Sequence, residues 1–340
     1  MNKKRIVTIA STAAVVVAVI LAGILFAVLM SSPGGSHKMH TNKPSQGATT
    51  VPTESIEPST EPSTEPSTEP STEPPTEPPV TPPTIGQTTY PDNGDELIGK
   101  LYTRAQLAAI NGTRKGYGAG ISTGGKRPDY AVKAEKDYGQ LYDAHFIGPD
   151  NETIYFTFAN GYEQDNLTGI VLDALKEKNV KGIFFINKGY ARTAPDMVWR
   201  MINEGHIVAN HATTHPDMGK QTVDQMVHEI MTMHNYMVEN FGYEMHYFRP
   251  PSGYYSERLL AVAQSLGYTT VQWSYTYRDW DRDAPPDYAA FRDDILNSAH
   301  NGAIYYFHTV TPSGVAAICD SIDALREKGY VFVPLTSSQE

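Results

Sequence analysis

The sequence is short of cysteine and of positive charge. One cysteine, Cys319, occurs in 340 residues, which excludes an internal disulfide framework and any cysteine-based metal cluster. A bound metal must therefore be held by histidines, carboxylates or amides. Basic residues number 27 against 38 acidic ones, a formal net charge of −11. That balance lacks the basic footprint of a phosphate-backbone binder, so no nucleic acid is expected among the partners. A phosphate cradle is missing too. Gly112, Gly116, Gly118, Gly120 and the Gly124-Gly125 pair make a glycine-rich stretch. No apolar strand precedes it, and no lysine–serine pair opens a helix after it.

What is present is partitioned along the chain. Lys3, Lys4 and Arg5 precede an uncharged, mostly apolar run over residues 6–30. At about 1.5 Å per helical residue such a run exceeds a hydrocarbon core of about 30 Å. It is longer than the roughly 7–15 apolar residues of a secretory signal, and Leu29-Met30-Ser31-Ser32 offers no convincing cleavage site. The expectation is a transmembrane signal anchor at 6–30, with residues 1–5 cytoplasmic and the rest on the cell-wall side of the membrane. Cleavage would instead secrete the chain. Residues 31–89 read as a disordered linker, since Glu-Pro-Ser-Thr recurs from Glu57 to Thr72. Proline at every fourth position forbids helix, and the repeated glutamates repel one another. Residues 90–150 are expected as an N-terminal extension packed on the main domain.

Residues 151–340 form that α/β domain. Strands are expected near 154–158, 182–186, 206–209, 245–248, 269–273, 303–307 and 330–333, with amphipathic helices between them. This alternation implies a parallel sheet closed, or nearly closed, into a barrel. In such a barrel the reactive side chains lie just past the strands' C-terminal ends. Those positions hold Ala159-Asn160-Gly161, Asn210-His211 with His215, Arg249-Pro250-Pro251-Ser252-Gly253, Arg278-Asp279-Trp280 and His308-Thr309. Polar and ionisable groups thus converge on one rim. His211 and His215 are four apart, so on one helical turn they face the same way and suit zinc or a similar ion. Asn160 is the candidate third ligand, an amide and hence a weaker donor than a carboxylate. His308 is placed to act as a general acid, and Arg249 is a rigid cationic donor. Tyr254, Trp280 and neighbouring tyrosines suit the apolar faces of sugars.

These segments resemble, in order, the five motifs of the NodB-type polysaccharide deacetylases, carbohydrate esterase family four. Thr157-Phe158-Ala159-Asn160-Gly161 is the first and the His211–Pro216 segment the second. Arg249 to Gly253, Asp279-Trp280 and His308 follow. Asn160-Gly161-Tyr162-Glu163, Trp273-Ser274 and His308-Thr309-Val310 look most like the branch that deacetylates N-acetylmuramic acid. The resemblance covers roughly residues 138–335. It implies a distorted (β/α)7 barrel and metal-assisted hydrolysis of an N-acetyl amide on cell-wall glycan, with an aspartate as base and a histidine as acid. Carried over, the metal positions are Asn160, His211 and His215, and the acid is His308. Arg249 matches the arginine that tunes the base. The backbone N–H of Ser252 would face the oxyanion, with Gly253, Tyr254 and Trp280 completing the substrate-binding set.

Three departures stand out. The base position holds Ala159, whose methyl accepts no proton. The metal aspartate is replaced by Asn160. Thr276 replaces the fourth motif's leading aspartate, leaving Asp279 to orient His308. Glu163 and Asp165 are the nearest carboxylates that could substitute as base. Two functions are therefore expected: a membrane-anchored peptidoglycan N-deacetylase, or a catalytically impaired relative that binds cell-wall glycan.

Overall fold

A computed structural model describes residues 94–335. The expected flank (1–5), membrane anchor (6–30) and linker (31–89) lie outside the described residues. Among the described residues no helix is long and apolar enough to cross a membrane. The strands are β1 (Lys115–Gly116), β2 (Ala144–His145), β3 (Thr153–Asn160), β4 (Ile183–Ile186), β5 (Ile207–Asn210) and β6 (Tyr247–Phe248). They continue with β7 (Tyr254–Tyr255), β8 (Thr269–Val271), β9 (Tyr275–Thr276), β10 (Ile304–Phe307) and β11 (Val331–Phe332). All seven expected strands are found. Helices Leu167–Glu177, Pro195–Asn203, Val223–Phe241, Glu257–Ser265, Tyr288–Asn297 and Pro312–Glu327 lie between them in sequence.

The main sheet runs β2-β8-β6-β5-β4-β3-β10-β9, with β11 also beside β3, and its pairings are parallel. One short stretch of chain reaches from beside one end of it to the other. β8 lies next to one end and β9 forms the other, yet only Gln272, Trp273 and Ser274 separate them. The sheet is therefore rolled, and the expected barrel is realised as a curled parallel sheet. His300 fixes the closure. Its Nε2 lies 2.8 Å from Ser274 Oγ, and its Nδ1 lies 2.8 Å from the Ser298 carbonyl. The same Ser274 Oγ accepts the Ile304 N–H.

Two details depart from the sequence reading. The strand expected over 269–273 is broken at Gln272 to Ser274, where the chain changes neighbours. The segment expected as an extension is woven into the sheet: Ala144 and His145 pair with Thr270 and Val271. A two-residue strand has no alternation to read, so periodicity could not reveal it. The same segment supplies β1, antiparallel to β7.

Strand alternation sorts the side chains of β3 onto two faces. Phe156 and Phe158 pack with Phe184, Tyr305 and Phe307 on one face, where Phe291 of helix Tyr288–Asn297 also touches Phe307. Thr157 and Ala159 point the other way, into the roll, at the level of Phe185 on β4 and Tyr306 on β10. That inner layer is the floor of the site.

Several histidines are buried neutral in this fold. Burial lowers His206 and His234 from 6.5 to about 4, and it pushes His211 well below its ordinary value. The unfolded chain, whose imidazoles titrate near the ordinary value, binds more protons than the fold below pH 6.5. Stability is therefore full above that value and is lost as pH falls towards 4, by roughly 1.4 kcal/mol per pH unit for each such group. Thermal melts between pH 7 and pH 4 should show a steep fall in Tm. A flat profile would contradict the buried-neutral assignment.

Candidate active site

A cleft of about 690 Å³ opens over the inner layer, lined among others by Ala159, His211, His215, Ser252, Trp280 and His308. β5 delivers His211 and His215. The segment after it is not a helical turn, as their spacing had suggested. It is a loop with Ala212 and His215 in the left-handed region, at φ 65 and φ 61. Glu229 holds it in shape by accepting the Thr213 and Thr214 N–H groups at 3.0 and 2.8 Å. The loop brings the two imidazoles to 4.9 Å between centroids, at 73°.

The first imidazole is set up as a ligand. His211 Nδ1 lies 2.8 Å from the Arg249 carbonyl, which can only accept, so Nδ1 carries the proton and Nε2 the lone pair. Nε2 is buried with no hydrogen-bond partner among the described residues. Burial and the neighbouring His215 both hold His211 neutral, and burial lowers His215 as well.

Asn160, at the end of β3, is arranged in the same sense. Its Nδ2 donates to Thr309 Oγ1 at 2.7 Å and Thr168 Oγ1 at 3.2 Å, which turns a buried, unpartnered Oδ1 away from them. Two orphaned acceptors and a second neutral imidazole suit a divalent cation. Among the described residues no set of three histidine, cysteine or carboxylate side chains could hold one, so a metal on the two histidines would need the Asn160 amide as its third donor. Weak affinity follows. Calorimetry with zinc should show His211→Ala binding at least about 10–100-fold more weakly than the parent. Asn160→Asp should bind more tightly.

Across the cleft His308 is braced by a fully buried carboxylate. Asp279 Oδ1 lies 2.8 Å from His308 Nδ1, and Oδ2 accepts the His308 backbone N–H at 2.7 Å. Nε2 then faces the Tyr306 hydroxyl at 3.1 Å. Arg249 lies beneath, fully buried. Its Nε and Nη2 donate to the Val271 and Gln272 carbonyls at 2.9 and 2.8 Å. Its guanidinium carbon stands 4.1 Å from the Phe185 ring centroid and 4.8 Å from that of Tyr306.

The Arg249–Gly253 run turns sharply into the cleft. Ser252 has φ 54 and Gly253 φ 69, and a Cβ at Gly253 would meet the Trp273 ring at 2.5 Å. Gly253 is thus fixed by packing, while Ser252 reaches the cleft. Trp280 stands half exposed at the rim, 5.9 Å from the His308 ring. Tyr254 does not line the cleft. It sits in β7 with the Arg114 guanidinium 3.5 Å over its ring, beside the cleft and not in its lining. Neither carboxylate considered as a substitute base lines the cleft. Glu163 accepts from the Tyr190 hydroxyl at 2.9 Å and the Thr168 N–H at 3.3 Å.

Sequence reasoning missed Asn187 and Tyr117, both of which line the cleft. Asn187 directly follows β4, so the strand-end rule applied to that strand would have found it. Tyr117 donates to the Trp273 carbonyl at 2.7 Å from outside the main sheet, where no strand-end signal operates.

A rolled parallel sheet thus carries imidazole, carboxylate and guanidinium groups past its strand ends. The polysaccharide deacetylase family model matches residues 147–271. Peptidoglycan-N-acetylmuramic acid deacetylase PdaA of Bacillus subtilis is 36% identical over 67% of this chain and 87% of its own length. An uncharacterised 30.6 kDa protein of Geobacillus stearothermophilus is 39% identical over 59% of this chain and 78% of its own. The solved structure of B. subtilis PdaA, described as a family 4 carbohydrate esterase, superposes with a TM-score of 0.63 at 34% identity, covering 66% of this chain and 96% of that one. The chain belongs to the polysaccharide deacetylase family.

Proposed function

We propose that the chain is a membrane-anchored, extracytoplasmic N-deacetylase of peptidoglycan, acting on the acetamido group of an amino sugar, N-acetylmuramic acid, with a divalent metal, zinc, as cofactor. The observation that carries the reading is the pairing of Asp279 with His308 across one cleft from the neutral lone pair of His211. Likeness to PdaA supports the choice of glycan and sugar. The uncharged run over residues 6–30 supports the anchor.

Asn160, His211 and His215 would hold the metal, which when bound polarises the acetyl carbonyl and makes water a better nucleophile. His308 holds the proton that the departing amine takes, with Asp279 fixing the ring by its Nδ1. The Ser252 N–H offers a donor to the oxygen on which negative charge develops. Trp280 and Tyr162, both exposed at the cleft, offer ring faces to the sugar.

A second reading, a glycan-binding module without turnover, is favoured by Ala159. Acetate release from N-acetylated glycan strands, measured for the parent chain and Ala159→Asp with zinc present, tests both. Release by either protein supports the deacetylase scaffold. Silence from both, with a flat glycan titration, removes both readings.

A further inference from the structure

Arg249 is an energetic oddity. An ionised group taken wholly out of water is costly unless it is paired, and this guanidinium has no salt-bridge partner among the described residues. Two of its nitrogens are satisfied by carbonyls. The third, Nη1, is buried with no hydrogen-bond partner.

The register shows what lies beside it. The guanidinium touches Phe185 on β4 and Tyr306 on β10, the two strands flanking β3. It therefore spans β3 at the level where Ala159 pairs with Phe185 and Thr157 with Tyr306. Thr157 is fully buried, with its hydroxyl spent on the Tyr305 carbonyl. Ala159 lines the cleft together with Tyr306 and Trp273, and Trp273 is also within 5.8 Å of the guanidinium. The guanidinium, with its Nη1 amino group unpaired, thus lies behind the wall of the cleft that Ala159, Trp273 and Tyr306 form, without lining it itself.

We propose that Arg249 Nη1 and the Ala159 methyl frame a binding site for a small carboxylate, of the size of formate or acetate, entering from the cleft. The carboxylate supplies the counter-charge that the chain omits. A consequence, which rests on the proposed deacetylation, is that bound formate acts as the missing base. Formate takes a proton from water as the water oxygen bonds to the acetyl carbon. The C–N bond then breaks, the nitrogen takes a proton from His308, and formic acid returns its proton to solvent.

The test is a thermal-shift titration of the chain with sodium formate and sodium acetate, against sodium chloride at equal ionic strength, with and without zinc. A saturable rise in Tm of about 2–4 °C is expected once formate exceeds its dissociation constant about fivefold. The rise should be absent in Ala159→Asp, where the chain carries its own carboxylate, and in Ala159→Val, where a larger side chain fills the space. No saturable shift, an equal shift in both variants, or a shift seen only with zinc would overturn the site. Amine release from glycan in formate separates the two ideas. Binding with release supports site and function together. Binding without release keeps the site and counts against the proposed activity.

Discussion

Replacing Ala159 by aspartate raises acetate release from N-acetylated glycan strands by about 10²–10⁴-fold over the parent, the usual contribution of a positioned general base. The groups that would act with it are already positioned. His308 is braced at two points by Asp279, His211 keeps its Nε2 lone pair towards a buried, unpartnered space, and Arg249 Nη1 is buried without a hydrogen-bond partner. An aspartate there faces inward, because Ala159 lines the cleft. It also meets a buried cation, which offsets the cost of burying its own charge. The parent should therefore turn over slowly beside the variant, and the variant's Tm should not collapse. Equal activity in both proteins would mean that a base exists elsewhere. Glu163 is poorly placed for that role, being tied to Tyr190 and to the first turn of helix Leu167–Glu177.

The rim of the barrel was legible in the sequence because strand alternation and strand ends leave local marks. Asn160 ends β3, and His211 and His308 directly follow the apolar runs of β5 and β10; Ser252 and Asp279 stand four and three residues past β6 and β9, on the same rim of a parallel sheet. What stayed illegible was set by non-local geometry. The pairing of His211 with His215 depends on two left-handed residues and on Glu229, from a helix further along the chain; spacing alone suggested a helical turn that is not there. Tyr254 reads as a rim aromatic by position, yet the β1–β7 pairing and Arg114 draw it aside. The closure of the sheet hangs on β2 and on the break at Gln272 to Ser274, features too short to carry a period. Departures at Ala159 and Asn160 were visible at once, but their physical weight became clear only beside the idle nitrogen of Arg249 and the orphaned amide oxygen.

In the Ala159→Asp background, Asp279→Asn lowers turnover by about 10²–10⁴-fold while leaving glycan binding close to that of its parent. Asp279 is fully buried, and each of its oxygens takes one hydrogen from His308, at the ring Nδ1 and at the backbone N–H. An asparagine of the same shape can accept only at its single oxygen. Its NH₂ then confronts whichever His308 donor remains, so the ring must turn or shift its proton from Nδ1 to Nε2; either way the doubly protonated ring, which gives up its proton at Nε2, loses its carboxylate partner. The loss falls on kcat, because the proton is needed only as the amine departs. A cycle with His308→Gln separates this role from a structural one. If Asp279 acts through His308, the double variant is no slower than His308→Gln alone. If Asp279 merely holds the loop after β9, the two losses add, and Tm falls together with rate.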